Sequence, residues 1–192
     1  MLKIQRLKIL FLLVMLFGLS ANVLAQPTIY VVRHAEKLAG WPKGKAGAYQ
    51  PLSEQGIKTA DRLAAWFKGK KVSAIYSSST SRTLHTAFPL SQQAGVKIKI
   101  ESACSDTSFI DSFLGKLRNK YKPNDIVIIV SHSNIVPYFL LKAGLPDACR
   151  DEMGITQIPD SWLLTNFYGA LFSFKNTREK TKTCADFMRI PF

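Results

Sequence analysis

TIYVVRHAEK, residues 28–37, governs how the rest of the chain is read. Its first five residues are β-branched or aromatic, the pattern of a short buried strand ending at Arg33. A charged pair, Arg33-His34, follows at once. A second stretch, IVIIV (126–130), is apolar throughout and runs into Ser131-His132-Ser133-Asn134. Fully apolar strands belong in the middle of a sheet covered on both faces.

The segments around these strands read as helices. Ser53 suits a helix N-cap, with Glu54 in the first turn. Ile57, Ala60, Leu63, Ala64 and Phe67 then recur at helical spacing, and Gly69 ends the helix near Lys68. Val72 to Tyr76 is a second short strand, and 80–93 is helical with a kink expected at Pro89. Residues 97–101 alternate charge and Ile as a half-covered strand would. Ser108 and Asp111 fit a capping box, leading a helix with Phe109, Phe113, Leu114, Leu117 and Tyr121 along one face. A helix is expected over 134–143, stopped by Gly144. Residues 167–174 and 184–190 read as two closing strands. Strands separated by helices predict a mostly parallel sheet with helices on both faces, in one domain.

The chain has 192 residues, 47% of them hydrophobic, with a net charge of +13. That composition excludes a disordered or fibrous protein. Residues 1–25 carry a basic start (Lys3, Arg6, Lys8) and an apolar run from Ile9 to Leu19. Val23 and Ala25 suit cleavage before Gln26, the pattern of a secretory signal peptide. The other reading is a retained membrane anchor, for which the apolar run is short. Removing residues 1–25 leaves 167 residues and a charge of +10, so the basic bias belongs to the folded part, 26–192. It favours an anionic partner. Nucleic acid is disfavoured, because the charge is spread out and no reader motif is present. Export would put Cys104, Cys149 and Cys184 in an oxidising compartment. One disulfide is expected at most; Cys149 precedes the final hairpin and Cys184 lies on it, leaving Cys104 free.

Three strand ends carry the chemistry. Arg33-His34-Ala35-Glu36 follows the first strand, SSSTSRT (77–83) follows the second, and Ser131-His132 follows IVIIV. Open α/β sheets bind ligands at the carboxyl ends of their strands. A hydroxyl-rich loop opening a helix is an anion site, and Arg82 on its first turn adds a bidentate grip. Two Arg and two His converging on one point call for an anion, and a phosphoryl group fits in charge and shape.

The segments VVRHAEK (31–37), PLSEQGIKTADRLA (51–64), IYSSSTSRTLHTA (75–87) and VSHSNIVP (130–137) resemble the histidine phosphatase superfamily, also called phosphoglycerate mutase-like. Their order and spacing are most similar to the small exported bacterial members of its first branch. The resemblance implies a three-layer α/β/α sandwich and phosphoryl transfer through a phosphohistidine, with no metal or other cofactor. His34 would be the nucleophile, Arg33 and Arg82 would hold the phosphoryl oxygens, and His132 would donate from the other side. The arginines would also depress the His34 pKa. Ser131 stands where the family usually has Gly. Glu36 and Asn134 are candidates for substrate contact. Counting from Arg82 to the position of the family's proton donor reaches Asp106, whose other reading is helix-start chemistry; Glu101 and Glu54 are weaker candidates. The substrate is a phosphomonoester or another phosphorylated small molecule. The loop 37–50, with Lys37, Trp41, Lys43, Lys45 and Tyr49, either embraces that substrate or is solvated surface. A rival function is a phosphate-binding module without catalysis.

Overall fold

The computed structural model describes residues 26–165, 168–177 and 181–192. The expected signal peptide therefore lies outside the described residues. No described helix is long and apolar enough to cross a membrane.

The strands are β1 (Thr28–Arg33), β2 (Val72–Ser77), β3 (Ile98–Ile100), β4 (Ile126–Ser131), β5 (Ile155–Ile158), β6 (Ser161–Leu164), β7 (Ala170–Lys175) and β8 (Phe187–Pro191). The helices are α1 (Glu54–Trp66), α2 (Ser81–Ala94), α3 (Ile110–Lys120) and α4 (Val136–Lys142). Six strands form one sheet in the order β3-β2-β4-β1-β7-β8. The first four are mutually parallel. β7 runs antiparallel to β1, and β8 antiparallel to β7.

Alternation along β1 explains the layering. Ile29 and Val31 join Val127, Ile129, Phe172 and Phe174 on one face, under α3 (Ile110, Phe113, Leu114, Leu117) and α4 (Phe139, Leu140). Val32 joins Ile75, Ile128, Val130 and Leu171 on the other, under α1 (Leu63, with Phe67 at its C-cap) and α2 (Ala87, Leu90). Each of these large side chains gains about 1.5–3 kcal/mol by leaving water, and period-two alternation spends them on both faces. The result is the expected three-layer α/β/α sandwich with a mostly parallel sheet.

Several local expectations need correction. α2 continues through Pro89 as one helix to Ala94, ending on Gly95 at φ +66°. No capping box opens α3. Asp106 instead accepts hydrogen bonds from the Ser108 backbone N–H at 2.9 Å and its hydroxyl at 2.7 Å, and caps a short 3-10 turn over Thr107–Phe109. α4 begins at Val136 because the His132 carbonyl accepts the N–H groups of Ile135 and Val136, and Pro137 in its first turn needs no donor partner there. A capping box does form between Thr183 and Asp186, around a 3-10 turn over Cys184–Asp186 that delays β8 to Phe187. The preceding strand begins at Ala170, and Phe167 lies outside the described residues. The β5–β6 hairpin was not foreseen. Cys149 and Cys184 form a disulfide, and Cys104 is free and buried, as the sequence reading expected.

Candidate active site

Arg33 and Ser131 end adjacent parallel strands and are register partners; Ser77 ends β2 on the other side of β4. His34, His132 and Ser78 are therefore the first residues beyond three neighbouring strand ends. Arg82 reaches the same place from the first turn of α2.

His34 is 5% exposed. Its backbone N–H donates to the Ser131 carbonyl at 2.9 Å. Its Nδ1 lies 2.8 Å from the Ala35 carbonyl oxygen. A carbonyl only accepts, so Nδ1 carries the hydrogen and the neutral ring holds its free lone pair on Nε2. His132 is 8% exposed, and its ring centroid is 5.4 Å from that of His34. Arg82 Nη2 lies 3.4 Å from His132 Nδ1. A guanidinium only donates, so Nδ1 accepts and Nε2–H donates to Ser78 Oγ at 2.9 Å. Both rings are held neutral. Burial, with smaller contributions from His132, Arg82 and Arg33, pulls the His34 pKa down to about 3. Burial, then Arg82 and Arg33, lowers His132 to about 4. The sequence reading credited the arginines; desolvation is the larger cause.

Arg33 Nη2 donates to the Tyr168 hydroxyl at 2.8 Å, with the guanidinium carbon 4.0 Å from the ring centroid. Arg33 Nε is buried and unpartnered. Arg82 Nη1 donates to the Gly47 carbonyl at 2.8 Å. The two ion pairs among the described residues, Lys142–Asp111 and Arg150–Asp147, involve neither arginine. Two guanidinium groups thus meet two neutral imidazoles with no carboxylate neutralising them, which suits a dianionic ligand.

The supports of this arrangement run into α1 and α2. The Ala35 N–H donates to Thr86 Oγ1 at 2.9 Å, and that hydroxyl donates to the Arg82 carbonyl at 2.7 Å. The Glu36 carbonyl accepts the Ser53 N–H at 2.9 Å. Ser131 turns its hydroxyl away from the site, onto the Cys104 carbonyl at 2.7 Å. That bond ties the turn over Ser102–Cys104 to β4.

A cavity of about 870 Å³ opens beside Arg82. Glu36, Lys37, Trp41, Lys43, Thr80 and Tyr168 are among its lining residues. The loop 37–50 borders this cavity through Lys37, Trp41 and Lys43, while most of it, Lys45 and Tyr49 included, is exposed to solvent. Of the other candidates, Asn134 is exposed in the turn after His132. Asp106 is exposed, with its carboxylate engaged by Ser108, whose hydroxyl and N–H lower its pKa. Glu101 accepts the Ala103 N–H at 3.3 Å, and Glu54 sits in the first turn of α1. Sequence reasoning missed Tyr168 and Ser78. Ser78 was visible in the hydroxyl run; Tyr168 carries no local signal, because only the β6–β7 connection brings it to Arg33.

Residues 29–112 match the family model of the histidine phosphatase superfamily (branch 1). Three of the motifs that carried the resemblance (31–37, 51–64 and 75–87) lie inside that match, which spans less than half of the chain; VSHSNIVP (130–137) lies outside it. No curated protein matches the sequence. Among solved structures, the protein histidine phosphatase SixA complexed with tungstate is 16% identical, with a TM-score of 0.59 over 85% of this chain and 94% of that one. The protein described as mycobacterial hydrolase 1 is 13% identical, with a TM-score of 0.58 over 86% and 97%. A mycobacterial glucosyl-3-phosphoglycerate phosphatase complexed with VO3 is 14% identical, with a TM-score of 0.56 over 73% and 98%. At these identities the likeness is one of fold.

Proposed function

We propose that the chain is an exported phosphomonoesterase that works through a phosphohistidine on His34. The observation that carries the reading is the buried His34 ring, its Nδ1–H held by the Ala35 carbonyl and its Nε2 lone pair left free. In the first half-reaction Nε2 attacks phosphorus in line and the ester P–O bond breaks. Arg33 and Arg82 hold the non-bridging oxygens and stabilise the charge that spreads over them. His132, anchored by its Nε2–H on Ser78 and by Arg82 at Nδ1, stays neutral and packs against the His34 ring on the other side of the phosphoryl group. In the second half, water attacks the phosphohistidine and releases phosphate. His34 must be unprotonated to attack, and burial keeps it so across the neutral and mildly acidic range.

The test is rapid acid-free quenching of the mature protein with nitrophenyl phosphate. Wild type is expected to carry an acid-labile phosphoryl group on His34. His34→Ala should lose turnover and the adduct together, and Arg82→Ala should lose about 10²–10³-fold in kcat. Full activity in His34→Ala refutes the mechanism. Phosphate binding by wild type without turnover of any phosphomonoester would establish a binding module instead.

A further inference from the structure

The phosphohistidine reading needs a proton for the leaving oxygen, and none of its four central side chains can give one. Arg33 and Arg82 stay charged, His34 is the nucleophile, and His132 faces the phosphoryl group. Asp106 is held by two hydrogen bonds from Ser108, outside the cavity lining. Both bonds favour the carboxylate form, the reverse of what a proton donor requires.

Glu36 differs on each point. It stands two residues beyond His34 and lines the cavity together with Arg82, Thr80 and Tyr168. Its Oε2 is buried and has no hydrogen-bond partner. A buried carboxylate oxygen without a partner is costly, and a fold keeps one where a ligand completes it. Its backbone is fixed from two sides. The carbonyl takes the Ser53 N–H at 2.9 Å and the Ser53 hydroxyl at 3.3 Å. Gly56 packs so closely that a Cβ there would lie 2.0 Å from that carbonyl oxygen. The side chain thus projects from an immobile anchor beside the nucleophile.

We infer that Glu36 is the proton donor to the leaving oxygen, a role that rests on the phosphohistidine reading. As His34 Nε2 bonds to phosphorus and the P–O ester bond breaks, the leaving oxygen keeps the bonding pair and takes the Glu36 carboxyl proton, giving an alcohol and a Glu36 carboxylate. In the second half that carboxylate accepts a proton from the attacking water. Phosphate leaves, and His34 and Glu36 return to their starting forms. The other charged or titratable groups on the cavity lining are Lys37, Lys43, Arg82 and Tyr168.

The experiment compares Glu36→Gln with Asp106→Asn on nitrophenyl phosphate, whose phenol leaves without help, and glycerol phosphate, whose alkoxide does not. Glu36→Gln should lose about 10²–10⁴-fold in kcat/KM on glycerol phosphate and at least tenfold less than that on nitrophenyl phosphate. The high-pH limb of the glycerol phosphate profile should disappear with it. Asp106→Asn should affect both substrates alike and weakly. Equal losses on both substrates in Glu36→Gln, or the selective loss in Asp106→Asn, overturns the assignment. Glu36→Asp, which keeps a carboxyl one methylene shorter, should show a smaller loss with the same selectivity; loss without selectivity there also counts against it. Quenching separates the two levels of argument. A wild type that forms no phosphohistidine overturns the mechanism and the donor together. A Glu36→Gln protein that forms it equally from both substrates overturns only the donor.

Discussion

Gly56→Ala tests the clamp between α1 and the segment that follows His34. Gly56 is buried within α1, three residues after its N-cap Ser53, whose hydroxyl accepts the Gly56 N–H at 3.1 Å. A Cβ at this position would lie 2.0 Å from the Glu36 carbonyl oxygen, 3.0 Å from its carbonyl carbon and 3.1 Å from its nitrogen. All three are backbone atoms, so no rotamer change relieves the overlap. Helix propensity alone favours Ala by about 1 kcal/mol. Overpacking against backbone costs up to about 3 kcal/mol, so the net loss should be about 2 kcal/mol. That corresponds to a fall in Tm of about 4–8 °C for a domain of this size. Separating the atoms takes on the order of 1 Å, and such a displacement beside the nucleophile costs about 10²-fold in rate. Thermal unfolding and kcat/KM on nitrophenyl phosphate read the two effects on one sample. A variant as stable and as active as wild type would show that α1 does not press on Glu36.

Three further outcomes are expected. Phosphoenzyme formation at saturating nitrophenyl phosphate should persist from neutral pH down to about pH 4 and fail as His34 titrates at about 3; a midpoint near the ordinary imidazole value of about 6.5 would contradict the buried neutral ring. The sign for stability follows from the same shifts: folded values below the unfolded one mean the full contribution holds above about pH 6.5 and is lost as pH falls, so Tm should drop on acidification, and less so in His34→Ala. Finally, replacing Cys149 and Cys184 together by Ser should cost up to about 4 kcal/mol through the 35-residue loop they close, read by thermal unfolding with and without reductant on the wild type; an unchanged Tm would show that the loop is held by packing alone.

What the residues disclosed follows from how local the signals are. β1 and β4 announce themselves because strands covered on both faces carry β-branched and apolar residues in succession instead of alternating with polar ones. α1 does so through its Ser53 cap and its stripe. The meeting of Arg33, His34, Arg82 and His132 was legible because parallel strands bring their carboxyl ends to one edge, so residues just past each strand converge. The β5–β6 hairpin was hidden because Thr156, Gln157 and Ile158 are exposed, which erases the alternation that marks a half-buried strand. The cap on α3 was misjudged by position: Asp106 reaches Ser108 two residues on and nucleates a 3-10 turn first. Tyr168 could not be found from its neighbours, since what places it over Arg33 is a connection made 135 residues later. The size of the His34 shift depends on burial, a property of the assembled layers that no short motif encodes.

The strand directions also decide how the protein should be handled at the bench. β1 enters the sheet at Thr28, beside Ile126 and Lys175, and reaches the reactive edge only at Arg33. β8 runs the same way as β1, so Pro191 pairs with Ala170 at that edge, and the Phe192 N–H donates to the Gly169 carbonyl, next to Tyr168. Anything fused after Phe192 emerges beside the cavity, where a polyhistidine tag would bring spare imidazoles to a phosphoryl site. Anything fused before Gln26 emerges at the opposite edge, about 20 Å away along six extended residues. On a chain begun at Gln26, affinity handles, dyes and surface tethers therefore belong at that end, and a bead carrying the protein there would leave the cavity facing the solution.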